Sequence, residues 1–167
     1  MANNAAAEPP TQTHWLWVIY GCVPLGLGLD FWSKHWASQQ FGGVEWMIRD
    51  QIGVFMVRHH GLWAMESAPG DSSAAWVGIA ATAALFIWAC FTPATQRSLH
   101  GALACMMAGA LGNTLERLWF GYVTDWLLLR FFPGGLTVNF ADLCLTTGCL
   151  WLWVAILRTP TKNRNEV

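Results

Sequence analysis

The chain has 167 residues, of which 54% are hydrophobic and 11% charged, and its net charge is −1. A charged fraction so far below the roughly 25% of soluble domains, with a mean hydropathy of +0.35, excludes an ordinary soluble domain and points to a bilayer. The near-zero net charge removes any basic footprint for nucleic acid, and five scattered cysteines without a CxxC pair argue against a disulfide framework or a cysteine zinc site.

Residues 1–13 are polar, contain Pro9 and Pro10 and carry no Lys or Arg, so they are predicted to be a disordered lead. They lack the basic start of a secretory signal, and the apolar run that follows has no small-residue cleavage site; it reads as an uncleaved anchor. A bilayer span needs about 20 mostly apolar residues. Four stretches qualify or nearly so: Trp15–Trp32, Ala74–Phe91, Leu99–Leu115 and Ala141–Leu157, the last two being short. Trp15, Trp17, Trp32, Trp36, Trp76, Trp119 and Trp126 flank apolar stretches, as headgroup-level anchors do. Cys22, Cys90, Cys105, Cys144 and Cys149 all lie in apolar runs and are expected to be small buried hydrophobes.

Between the first two spans, Val44–Arg49 and Ile52–Arg58 are short and rich in β-branched and aromatic residues, and they predict two strands. A small sheet lying on one membrane face is the expectation for the Phe41–Asp71 segment, with an interfacial helix as the alternative. The expected fold is therefore an α-helical membrane bundle of four spans with a small extracytoplasmic β element. It forms one domain over residues 14–158, followed by a tail at 159–167. Four spans put both termini on one side. Arg97, Arg158, Lys162 and Arg164 make that side cytoplasmic by the positive-inside rule. Phe41–Asp71 and the Glu116–Asn139 loop then share the outer side, despite Lys34, Arg49, Arg58, Arg117 and Arg130 lying there.

The polar residues near the outer ends are the candidate site. Asn113, Glu116 and Arg117 are spaced to share one helical face, above a small-residue row of Ala104, Ala108 and Gly112 that lets helices pack closely. Asp125 lies in the following loop, and Asp142 at the mouth of the fourth span just after Asn139. Carboxylates beside hydrocarbon are costly, and two that meet form a shared-proton dyad able to activate water. Asp30 and Lys34, four apart, are placed for an ion pair with the lysine reaching towards the interface. His59 and His60 are adjacent but have no HExxH or similar setting, so no metal site is expected. Structural readings stand beside each: a helix-end ion pair with an amide cap for the first cluster, and two unrelated interface acids for Asp125 and Asp142.

Leu29–Lys34 (LDFWSK), Ala108–Trp126 (AGALGNTLERLWFGYVTDW) and Val138–Asp142 (VNFAD) followed by a span are three blocks that together resemble lipoprotein signal peptidase, the bacterial type II signal peptidase. The resemblance runs from about Trp17 to Leu157. It implies a four-span aspartic endopeptidase of the bacterial inner membrane that cuts prolipoproteins before a diacylglyceryl-modified cysteine and needs no cofactor. Its implied partners are lipidated prolipoproteins and membrane lipids, and a monomer is expected. By motif, Asp125 and Asp142 match the family's catalytic pair. Asn113, Arg117 and Asn139 match site-lining residues, and Asp30 and Lys34 match a pair that supports the site. Two departures stand out. Glu116 replaces an aspartate, and His59-His60-Gly61-Leu62-Trp63 replaces an Asn-x-Gly segment followed by small residues. These departures leave room for a relative that binds lipoproteins or signal helices without cutting. A small proton or ion carrier is a further reading, but the uncharged Ala74–Phe91 run offers it no acid deep in a span.

Overall fold

The computed structural model of the protein describes residues 13–40, 45–61, 71–131 and 134–158. In chain order these form α1 (His14–Gln40), β1 (Glu45–Ile48), β2 (Ile52–His59), α2 (Ser73–Phe91), α3 (Arg97–Phe120), β3 (Val123–Leu129), β4 (Leu136–Val138) and α4 (Phe140–Arg158). The predicted lead as far as residue 12, the tail at 159–167 and the departure at Leu62 and Trp63 lie outside the described residues.

Helices α1, α2 and α4 are each long and apolar enough to cross a membrane. Helix α3, at 24 residues, is about 36 Å long at 1.5 Å per residue, and its sequence is more polar. It is the centre of the bundle, with α1, α2 and α4 all packed against it. Small residues explain why. Ala104 and Ala108 pack on Val23 of α1. A Cβ added to Gly112 would lie 2.8 Å from Oδ2 of Asp30. The row anticipated at Ala104, Ala108 and Gly112 is thus the α1 seam. A second row, Gly101, Cys105 and Gly109, makes the α4 seam. Cys105 Sγ donates to the Cys144 carbonyl at 3.2 Å, and a Cβ on Gly109 would strike the Ala141 carbonyl and lie 2.9 Å from the Leu145 nitrogen. Close backbone approach is how helices associate where the surroundings are as apolar as leucine.

The outward faces are apolar as well. Trp17 and Leu25 on α1, Trp76 and Phe91 on α2, and Trp153 and Leu157 on α4 are all exposed. Apolar surface this continuous is covered by lipid rather than water. The cysteines show the same thing. All five are free, but Cys22, Cys90 and Cys149 are exposed and only Cys105 and Cys144 are half-buried. The expectation of buried cysteines is therefore corrected, because a helix apolar all round does not reveal which face points inward.

The sheet has four antiparallel strands in the order β1-β2-β3-β4. The two anticipated strands are present. Their hairpin closes with the Gln51 N–H on the Ile48 carbonyl at 2.8 Å, and Arg49 and Asp50 take the left-handed conformation (φ 41° and 57°) that a two-residue turn requires. The expected Glu116–Asn139 loop is corrected: it contains β3 and β4. Gly121 ends α3 at φ 76° with its N–H on the Arg117 carbonyl at 2.9 Å, an αL cap that delivers the chain directly into β3. Asp125, the third of the seven residues of β3, interrupts an otherwise strand-prone run, and pairing with β2 and β4 carries the strand through it. Trp36 of α1 meets Trp126 of β3 edge to face at 6.1 Å between ring centroids, which seats the sheet on the end of the bundle.

Candidate active site

Two different devices position the two aspartates. Asp142 is the third residue of α4, and Asn139 is its N-cap. The Asn139 Oδ1 accepts the Asp142 backbone N–H at 2.8 Å, and the Asn139 backbone N–H donates to Asp142 Oδ2 at 3.1 Å. This reciprocal capping box fixes the carboxylate at the helix start. Asp125 sits in β3 opposite Val57 of β2, so its side chain is held by sheet register rather than by a loop.

Two amides link the acids. Asn139, fully buried, gives its Nδ2 hydrogens to Asp125 Oδ1 at 2.7 Å and to Asn113 Oδ1 at 3.0 Å. Asn113 in turn donates Nδ2 to Asp142 Oδ1 at 2.7 Å. Asp125, Asn139, Asn113 and Asp142 are therefore one hydrogen-bonded network built from β3, the α4 cap and α3.

A buried lysine underlies it. Lys34 Nζ donates to Asp30 Oδ2 at 2.8 Å, to Glu116 Oε2 at 2.7 Å and to Asn113 Oδ1 at 3.2 Å. All three ammonium hydrogens are used. Asp30 Oδ1 accepts the Ala141 N–H at 2.9 Å, satisfying an orphan donor of the α4 first turn. Glu116 Oε2 also accepts the Thr124 N–H at 3.1 Å. One cation thus ties α1 to α3, and its two carboxylate partners reach on to α4 and β3. Lys34 is only 5% exposed, which corrects the expectation that it extends to the interface: three acceptors inside outweigh hydration outside. Glu116, the departure from the family's aspartate, pairs with Lys34 and not with its neighbour Arg117.

Arg117 donates Nη1 to the Asn113 carbonyl and Nη2 to the Gly61 carbonyl, both at 3.2 Å, and so clamps the end of β2 to α3. The two histidines diverge where β2 ends at His59. His60 Nδ1–H donates to the Gly121 carbonyl at 2.9 Å. His59 turns the other way and meets Asp125, with Nε2 2.6 Å from Oδ2. That hydrogen bond raises the His59 imidazole above its ordinary 6.5, against the burial that lowers it.

The structure therefore brings Asp30, Lys34, Asn113, Glu116, Arg117, Asp125, Asn139 and Asp142 into contact with one another as a continuous polar cluster. His59 belongs to it too. Sequence spacing did not reveal that, because the strand pairing that aims it at Asp125 is a tertiary fact; its only local signal was its position at the end of a strand.

The description "Signal peptidase (SPase) II" matches residues 22–158. The lipoprotein signal peptidase of Moorella thermoacetica is 35% identical over 145 residues, covering 84% of this chain and 93% of that protein. That of Serratia proteamaculans is 30% identical over 161 residues, covering 92% of each. A bacterial membrane enzyme solved at 1.9 Å superposes with a TM-score of 0.72 at 23% identity, covering 88% of this chain and 95% of that one, and so shares the fold. With the match extending across all four helices and the whole sheet, the chain belongs to the signal peptidase II family.

Proposed function

We propose that this signal peptidase, which removes signal peptides from prolipoproteins in the bacterial inner membrane, does so as an aspartic endopeptidase with Asp125 and Asp142 as its dyad. The observation that carries this reading is the single network joining the two carboxylates through Asn113 and Asn139. One proton shared between two acids is the state that activates water. The charged carboxylate takes a proton from a water molecule as its oxygen attacks the scissile carbonyl carbon. The protonated carboxyl gives its proton to the carbonyl oxygen, forming a neutral tetrahedral diol. Proton transfer to the amide nitrogen then breaks the C–N bond, releasing the signal peptide and restoring the starting protonation of the pair.

In this reading α3 is the fourth span, short of hydrocarbon at its Asn113–Phe120 end because that end meets the interface. The termini are cytoplasmic, and the sheet and dyad are at the extracytoplasmic face. Exposed Trp32, Trp119 and Phe120 near the dyad end of the bundle supply the aromatic belt such a level requires. The substrate is a prolipoprotein whose diacylglyceryl-cysteine keeps its acyl chains in the bilayer while the peptide bond before it reaches the dyad. The protein acts as a monomer. Arg117 and Asn113 orient the pair and the substrate backbone.

The test is cleavage of a diacylated model peptide by purified protein. Asp125→Asn and Asp142→Asn are each expected to abolish turnover while the protein still inserts and folds. Wild-type turnover by either variant refutes the mechanism.

A further inference from the structure

We propose that His59 is a positioning residue of the dyad, donating from Nε2 to Asp125 so that Asp125 carries the negative charge and acts as the base, which leaves the proton on Asp142 as the acid. This rests on the aspartic reading above and adds to it an assignment of roles.

Geometry is the first support. His59 and Asp125 lie on the same face of adjacent strands, with His59 opposite Val123 and Asp125 opposite Val57. Diagonal neighbours of this kind are within reach of a long side chain. The contact is short, 2.6 Å, as charge-assisted bonds are. His59 Nδ1 is buried and has no partner among the described residues, so among them the ring's hydrogen-bond anchor is Asp125.

Asymmetry is the second support. Among the described residues, Asp142 receives only neutral donors, the Asn113 amide and the Asn139 backbone N–H. Asp125 receives the Asn139 amide on one oxygen and the imidazole on the other. A cation on one side of a coupled pair decides which member is charged.

Charge balance is the third support. Facing His59 are Asp125 on β3, Asp142 on α4 and Arg117 on α3. On its own strand, Arg58 is exposed and lies over the Tyr122 ring at 5.1 Å. Behind these, Lys34 serves both Asp30 and Glu116. Among the described residues, Asp30, Glu116, Asp125 and Asp142 thus face Lys34 and Arg117 as their permanent cations. One proton on the dyad and one on His59 bring the cluster to neutrality, which burial strongly favours. The raised His59 value agrees with this: the imidazolium persists above 6.5 and is lost as pH rises through the higher folded value.

The test uses full-length protein in lipid bilayers with a diacylated peptide. The pH profile of kcat/KM is measured for wild type and for H59Q, which keeps a donor near Nε2 but cannot become charged. NMR titration of isotope-labelled His59 is measured in wild type, D125N and D142N. The acid limb of the H59Q profile is expected to move up by about one pH unit, with kcat falling more than KM changes. The His59 titration is expected to fall by a similar amount in D125N and to move less in D142N. An H59Q acid limb that superimposes on wild type, or a His59 titration indifferent to D125N, overturns the role of His59 while leaving the aspartic mechanism standing. Wild-type turnover by D125N overturns both. Should H59Q fail to fold, the NMR comparison of wild type with D125N decides.

Discussion

Asn139 has two separable jobs, and separating them tests whether the site works as described. Its Oδ1 caps α4 by accepting the Asp142 N–H, and its Nδ2 donates to Asp125 and to Asn113. Asn139→Ser keeps an oxygen for the cap but has no amide to give. Asn139→Ala keeps neither. Losing an N-cap oxygen costs about 1 kcal/mol, whereas exchanging Asn for Ser there costs little. Losing a hydrogen bond to a charged group costs about 1.5–3 kcal/mol. If that bond holds Asp125 for reaction, it is worth roughly a ten- to hundred-fold loss in kcat/KM, at about 1.4 kcal/mol per tenfold. The two variants are therefore expected to be about equally slow, with Asn139→Ala about 1 kcal/mol the less stable. Thermal unfolding in detergent and cleavage of a diacylated peptide measure the two quantities side by side. Wild-type turnover by Asn139→Ser would reduce Asn139 to a helix cap and refute the linkage of the two acids through its amide.

Removing the buried cation should unbalance the cluster. Lys34→Met leaves the Asp30 and Glu116 carboxylates without their shared cation, and breaking a buried pair on one side costs about 3–5 kcal/mol. Lys34→Met/Glu116→Gln should recover part of that in thermal unfolding, since a Gln oxygen can still accept the Thr124 N–H; no recovery would mean the loss is one of packing. Gly109→Ala would drive a methyl into the Ala141 carbonyl, one residue before Asp142. Overpacking of this kind costs about 1–3 kcal/mol, and the shift of α4 should also depress cleavage. Gly28→Ala is the control on α1. A Cβ there meets nothing within 4 Å, so stability should hold or rise by about 0.5–1 kcal/mol, and a large loss would contradict the helix geometry.

Composition and periodicity were enough to place this chain in a bilayer, because a backbone in lipid must satisfy itself and leaves long apolar runs as its mark. The same reading found β1 and β2, the small-residue row of α3 and the polar residues that the structure gathers into one cluster. The position of Asp142 at the mouth of the fourth span, just after Asn139, was legible too; the capping box that holds it there was not. Three further things were not legible. The strand through Asp125 is held by pairing with β2 and β4 across a residue that by itself disfavours strands. Lys34 points inward because Asp30, Glu116 and Asn113, from two helices, converge on one ammonium. His59 meets Asp125, 66 positions away, because the register of β2 and β3 aligns them. Spacing along a chain fixes which residues share a face of one element. Which faces meet depends on packing between elements, and that packing is where this protein joins one carboxylate from a strand to another from a helix cap.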